Sequence, residues 1–303
     1  MSADLIKNWL VLGSVYLLFS NGFSIVFGAF NVMNLAHGAI LTLGAFIGIY
    51  ADNVLGVPIA VTLVLAAIGA GVTNSLLDAF ILRPIARRTA DAQSGSHDLT
   101  PIVTTLSFGT VVVGLLTQKV KAVDFTFKRA EFMATPFELG SLTVSSLDLV
   151  IFVCAFVATA LLYFAIMKTR AGMAIRAVAE DRQMAAGLGV RPNVVSAVTF
   201  FVSGAMAGVC GVLVGILYSN VNVAIGDQLL LFGFVIIILG GVGSLAGTAI
   251  ASMFIALVQT LASVNFQSAV AELIVFGALL ITLLVRPNGI LGKSVQMAGV
   301  GRQ

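Results

Sequence analysis

Nine apolar stretches divide this chain, and no other feature limits its possible folds as strongly. They run roughly over residues 9–30, 35–51, 57–82, 102–117, 149–167, 194–217, 229–240, 245–262 and 269–285. About 20 apolar residues in a helix match the ~30 Å hydrocarbon layer of a bilayer. Hydrophobic residues fill 59% of the 303 positions and charged residues 10%, against about a quarter charged in a soluble domain, and the mean hydropathy is +1.09. Backbone polar groups find no water in the bilayer core, and no stretch shows the ten-residue alternation of a barrel strand, so the spans are helices. The expected fold is an all-α polytopic membrane protein: residues 1–303 form one transmembrane domain with about eight transmembrane helices. The first stretch, Trp9 to Phe30, is long enough to span and is not followed by a small-residue cleavage site, so it is expected to stay as a helix.

The net charge of +3 does not point to a nucleic-acid partner, because the basic residues collect at segment ends rather than on one face. Placing residues 83–100, 168–193 and the tail from Arg286 in the cytoplasm gathers eleven of the sixteen Lys and Arg there. The loop at 118–148 is nearly balanced in charge and suits an outer face. This arrangement puts the N-terminus outside and the C-terminus inside.

Residues 229–262 are too long for one crossing, since 34 residues would make a helix of about 51 Å. Gly240, Gly241, Gly243 and Gly247 supply a break, and either two crossings or a re-entrant hairpin results. The stretches at 35–51 and 102–117 reach only about 25 Å, and short or interrupted segments tend to line the path in transporters. Gly44 with Gly48, Gly204 with Gly208, and Gly211 with Gly215 have the four-residue spacing that lets helices approach closely.

No catalytic or metal-ligating constellation emerges. Gly289 to Ser294 imitates the end of a phosphate-binding loop, but Pro287 stands where its first glycine belongs and a membrane helix precedes it. His37 and His97 have no paired spacing, and Cys154 and Cys210 sit in apolar stretches as small hydrophobes. Asp78 and Glu272 lie near segment ends. The lack of a mid-depth carboxylate weighs against an ion-coupled carrier, and the lack of a nucleophile, base or metal set weighs against an intramembrane enzyme. Polarity and depth single out Asn34, His37, Thr104, Thr105 and Ser244 as candidates for the solute path; His37 could equally be a helix-start residue bonded to its surroundings.

One polar island interrupts this pattern. Residues 168–193 carry Lys168, Arg170, Arg176, Glu180, Asp181, Arg182 and Arg191, with Met173, Ala174, Ala177, Val178, Met184, Ala185 and Leu188 recurring at intervals near three and four. The pattern predicts an amphipathic helix ending at Gly187 and Gly189. It fits a solvated connector, a helix on the lipid surface, or a docking element.

Four stretches then carry a resemblance. Asn34 to Phe46 (Asn-Leu-Ala-His-Gly-Ala-Ile-Leu-Thr-Leu-Gly-Ala-Phe), Ile175 to Val190, Gly240 to Gly247 and Arg286 to Gly292 resemble, in order and spacing, segments of the permease subunits of branched-chain amino acid ABC importers, the LivH type. One departure is Ala39, where many members carry an acidic residue after the His-Gly pair; urea, short amides and other amino acids are handled by close relatives. The resemblance implies a subunit that binds no cofactor, with ATP on two partner ATPase subunits. It also implies a second permease subunit (LivM-like, or another copy of this chain), an extracytoplasmic solute-binding protein, and a place in the bacterial cytoplasmic membrane. Within the island it implies an ATPase-coupling role for Arg176, Glu180, Asp181 and Gly189.

Overall fold

The structure, a computed structural model, describes residues 3–86, 99–120, 125–128, 136–139, 142–285 and 289–291. Helix α1 (Ala3–Phe30) is followed by α2 (His37–Tyr50), α3 (Ile59–Leu77) and α4 (Thr100–Val120). A two-stranded antiparallel hairpin, β1 (Pro136–Leu139) and β2 (Leu142–Ser145), leads into α5 (Ser146–Lys168). Two short helices, α6 (Arg170–Glu180) and α7 (Arg182–Gly187), precede α8 (Pro192–Leu217), α9 (Ile225–Gly240), α10 (Leu245–Asn265) and α11 (Ser268–Val285). Among the described residues seven helices are long and apolar enough to cross a membrane, and residues 225–240 and 269–285 form two shorter apolar helices. The fold is thus all-α apart from the small hairpin, which lies in the loop at 118–148. Arg87, Arg88 and His97, Lys121, Asp124, Arg129 and Glu131, and the basic residues Arg286, Lys293 and Arg302 of the tail lie outside the described residues.

Contacts order the helix ends. Gly28, near the end of α1, meets Gly243, and Asp78 after α3 meets Ser196 at the start of α8. Residues 289–291 bond to Leu239 and Gly240 at the end of α9. These sites share the end of the bundle that carries α6 and α7. The opposite end is tied by a bridge between Phe125 and Val221 and by Asn53, whose side chain donates to the Thr126 carbonyl at 2.8 Å and accepts from the Lys128 amide at 3.0 Å.

The break expected within 229–262 is a helical hairpin. Gly241 (φ 94°) and Gly243 (φ 74°) occupy backbone conformations that side-chain-bearing residues avoid. The Ser244 hydroxyl then caps α10 by accepting from the Gly247 amide at 3.1 Å. Gly240 and Gly247 are not hinge points but the place where the two arms touch: a Cβ on Gly240 would lie 2.5 Å from the Gly247 carbonyl carbon.

Of the two segments expected to be short, one is not. Helix α4 covers 21 residues, so the apolar run at 102–117 is not a short segment; its flanking Thr100 and Gln118 are helical although polar. Helix α2 is short, with 14 residues, and ends in a π-helical turn at Ala51–Leu55; a second π turn, Asp78–Leu82, ends α3.

Helix α8 is the centre of the bundle, packing on α1, α2 and α3. It can do so because small residues face one another: a Cβ on Gly208 would lie 2.5 Å from the Ala66 carbonyl oxygen, and one on Gly204 would lie 2.6 Å from that of Ala70. Gly44 of α2 abuts the Gly208 backbone from the other side, and Gly211 abuts Leu41. Gly208→Leu is therefore expected to overpack two interfaces at once, costing upwards of ~3 kcal/mol. Gly114→Ala, whose Cβ would meet nothing within 4 Å, is expected to stay within ~0.5 kcal/mol of the parent. Thermal unfolding of the purified protein in detergent checks both, and equal midpoints for the two variants would refute the packing role.

Candidate coupling surface and solute path

The island at 168–193 folds as two helices rather than the single amphipathic helix expected. Thr169 caps α6 by accepting from the Gly172 amide at 3.1 Å. The break falls at Asp181, whose backbone is extended (φ −151°, ψ 112°). Its carboxylate accepts from the amides of Gln183 and Met184, both at 2.8 Å, and so caps α7. Helix α7 ends in a paired turn: the Gly189 amide donates to Ala186, and the Val190 amide donates to Ala185. Gly189 has φ 88°, the left-handed conformation such an ending requires.

Four coupling candidates thus have separate local tasks. Arg176 donates its guanidinium to the Ile166 carbonyl, satisfying a free acceptor at the end of α5 and fastening α6 to it. Asp181 and Gly189 set the start and stop of α7. Glu180 is exposed and borders a cleft. The apolar residues divide between two sides: Val178 and Ala185 are buried, whereas Met173, Met184 and Leu188 are 60%, 68% and 82% exposed. A surface carrying these three side chains beside charged residues is suited to contact another protein.

The cleft beside Glu180 has a volume of about 570 Å³, and its walls include Phe27, Asn31, Asp78, Arg83 and Arg182. Asp78 is almost fully buried and triply bonded. Arg83 donates to its Oδ2 from Nε at 2.9 Å and Nη2 at 2.5 Å, and Ser196 donates to its Oδ1 at 2.7 Å. The paired guanidinium and the hydroxyl offset the cost of burying that carboxylate and join the π turn after α3 to the start of α8.

Deeper in the bundle, the chain between α1 and α2 turns back inside the protein. Asn34 is fully buried and donates from Nδ2 to Asn74 Oδ1 at 2.9 Å, and Asn74 in turn donates to the Phe200 carbonyl at 2.7 Å. Thr105, also buried, accepts from the Leu35 amide at 3.1 Å, and its hydroxyl proton is shared between the Ile102 carbonyl of its own helix at 3.1 Å and the Met33 carbonyl at 3.2 Å. His37 starts α2 between the rings of Phe19 and Phe23, with ring centroids 4.7 and 5.4 Å away. Its Nε2 lies 3.2 Å from the Phe19 carbonyl oxygen and its Nδ1 3.4 Å from the Ser203 hydroxyl.

Asn34, His37 and Thr105 therefore belong to one buried network. Thr104 is half-buried and lies outside it, and Ser244 is the cap of α10. Sequence reasoning missed Asn74 and Ser203. Both are polar residues within long apolar helices and could have been flagged on that ground, since a polar group in a membrane core must find a partner. Among the described residues no group of three or more His, Cys, Asp or Glu could hold a metal ion.

Comparison with known proteins identifies the family. Residues 5–284 match the family described as branched-chain amino acid transport system permease component. The chain is 29% identical over 293 residues, 94% of each chain, to the high-affinity branched-chain amino acid transport system permease protein BraD of Pseudomonas aeruginosa. It is 28% identical over 292 residues, again 94% of each, to the permease protein LivH of Escherichia coli. A probable LivH permease of Methanocaldococcus jannaschii is 25% identical over 305 residues, 95% of this chain and 92% of that one. No solved structure matches. An all-helical bundle with a broken α9–α10 hairpin, a polar two-helix projection and a family match across nearly its whole length belongs to the branched-chain amino acid transport system permease component family.

Proposed function

We propose that this chain is the LivH-type membrane subunit of a binding-protein-dependent ABC importer in the bacterial cytoplasmic membrane, moving branched-chain or related amino acids. ATP is bound and hydrolysed by two partner ATPase subunits, and this chain carries no nucleotide site or cofactor of its own. The observation that carries the reading is the pair α6–α7, a capped and fastened projection whose Met173, Met184 and Leu188 side chains are exposed at one end of the bundle. The solute is handed over by an extracytoplasmic binding protein at the opposite end, where the 118–148 loop is anchored. It crosses between this subunit and a second permease, LivM-like or another copy.

In this scheme the ATPases push on α6–α7 as they close and open. Helix α6 packs on α1, α5 and α8, so the push reaches the helices that hold His37 and Ser203. Asp181 and Gly189 act by fixing the angle of α7, Arg176 by preventing α6 from sliding off α5, and Glu180 by presenting charge at the docking face. A solute differing from the branched-chain class, such as urea or a short amide, is the second reading. It draws support from Ala39, which is buried where many family members carry an acid; a Cβ on Gly109 of α4 would stand 3.4 Å from the Ala39 Cβ, so little space remains there. The ligand retained by the cognate binding protein separates the two solute classes.

Two outcomes test the coupling and the orientation. Asp181→Lys is expected to abolish uptake and uncouple ATPase activity with membrane insertion intact, whereas Asp181→Asn, which still caps a helix, keeps more than about half of the uptake. Full uptake by the Lys variant removes the coupling role, and an inactive Asn variant shows that the charge rather than the cap is what the partner needs. For orientation, Leu188→Cys is expected to react with a membrane-impermeant maleimide in inverted vesicles and not in intact spheroplasts. Labelling from outside would reverse the topology and end the proposal.

A further inference from the structure

A groove of about 380 Å³ runs down one flank of the bundle between α5 and α8, floored by α1 and α3. Its walls are almost wholly apolar, and the small residues Ala67, Ala158, Ala165 and Ala205 among them leave a gap that α5, packed mainly on α1, does not close against α8. The groove ends at Gly172 and Ile175, at the start of α6. Lys168 and Arg170 flank that end, are exposed, and have no partner among the described residues.

Helix α5 shows what surrounds this flank. Little of it is covered by other helices, and its exposed face carries Phe152, Val153, Phe156, Leu161 and Phe164, the composition of a helix in hydrocarbon. The groove therefore opens onto lipid, with two unpaired cations where α5 leaves the apolar layer. Basic residues at that level attract anionic headgroups.

We infer that the groove seats an acyl chain of an anionic glycerophospholipid whose phosphate lies against Lys168 and Arg170. The lipid fills the gap between α5 and α8 and touches the root of α6. It acts as a structural wedge behind the projection rather than as cargo, and the inference holds for whichever solute the protein carries.

The test is native mass spectrometry of the purified transporter complex after incubation with vesicles of equal phosphatidylglycerol and phosphatidylcholine content. The parent is expected to retain phosphatidylglycerol in preference to phosphatidylcholine. Lys168→Gln with Arg170→Gln is expected to lower that preference about thirty-fold, each surface cation contributing a factor of about five. Ala205→Phe, which fills the groove, is expected to lose both lipids from this site while the complex stays assembled. An unchanged lipid ratio in the double Gln variant, or undiminished retention by Ala205→Phe, overturns the inference. So does efficient crosslinking of Ala205→Cys to the second permease, which would mean that a protein helix fills the groove.

Discussion

A backbone that breaks its helix inside a membrane must find hydrogen-bond partners within the protein, because no water is there to supply them. Residues 31–36 meet this demand, and much of the interior is arranged around them. The chain leaves α1 at Phe30 and re-enters to start α2 at His37, beside Phe19, eleven residues back along α1. At 1.5 Å per residue that is about 16 Å into the bundle. Thr105 serves one amide and one carbonyl of the returning segment, and Asn34 serves the Ala36 amide. Asn74 and Phe200 hold Asn34 in turn. Four helices are fixed relative to one another by the needs of six residues.

The packing around this segment must be close for those bonds to form. Small residues on α8 let α2 and α3 come within backbone contact; a larger residue at Gly204 or Gly208 would push apart the helices that carry Asn74 and Ser203, and one at Gly211 would push α2 away from α8. Lipid tails are as apolar as leucine, so association here rests on contact and hydrogen bonding rather than on exclusion of water. The glycine spacing and the buried amides therefore serve the same end.

This explains which parts could be read from sequence. Apolar runs report crossings directly, and Gly241 and Gly243 report a turn because they sit in a run too long for one pass. The polar island stood out by contrast. The depth of residues 31–36 was not legible, since a local pattern cannot show that Thr105, about seventy positions away, supplies the missing bonds. Asp181 was misread for a related reason: inside an amphipathic period it counts as one more polar position, yet as a cap it ends that period. Asp148 is a similar case, contributing charge to the 118–148 loop while forming a reciprocal capping box with Ser145. Ser244, singled out for polarity and depth, also starts α10, a task that polarity alone does not reveal.

In the importer scheme proposed for this chain, transmission of force from the projection to the interior would depend on rigid joints. Arg176 and Gly172 bind α6 tightly to the last turn of α5, and the Asp78, Arg83 and Ser196 cluster binds the end of α3 to the start of α8. Between these two joints lies the 570 Å³ cleft, bordered by Glu180 and Arg182 on one side and Phe27 and Asn31 on the other. Asn31 has φ 52°, an uncommon conformation for a residue with a side chain, immediately before the re-entrant segment. In the proposed coupling scheme, a displacement of α6–α7 would fall on the open side of the cleft near Glu180 and Arg182 rather than on its hydrogen-bonded wall at Asp78, Arg83 and Ser196. In that scheme the cleft's border at Asn31 is the root of the segment that positions His37, and it would connect work at one end of the bundle with rearrangement at its centre.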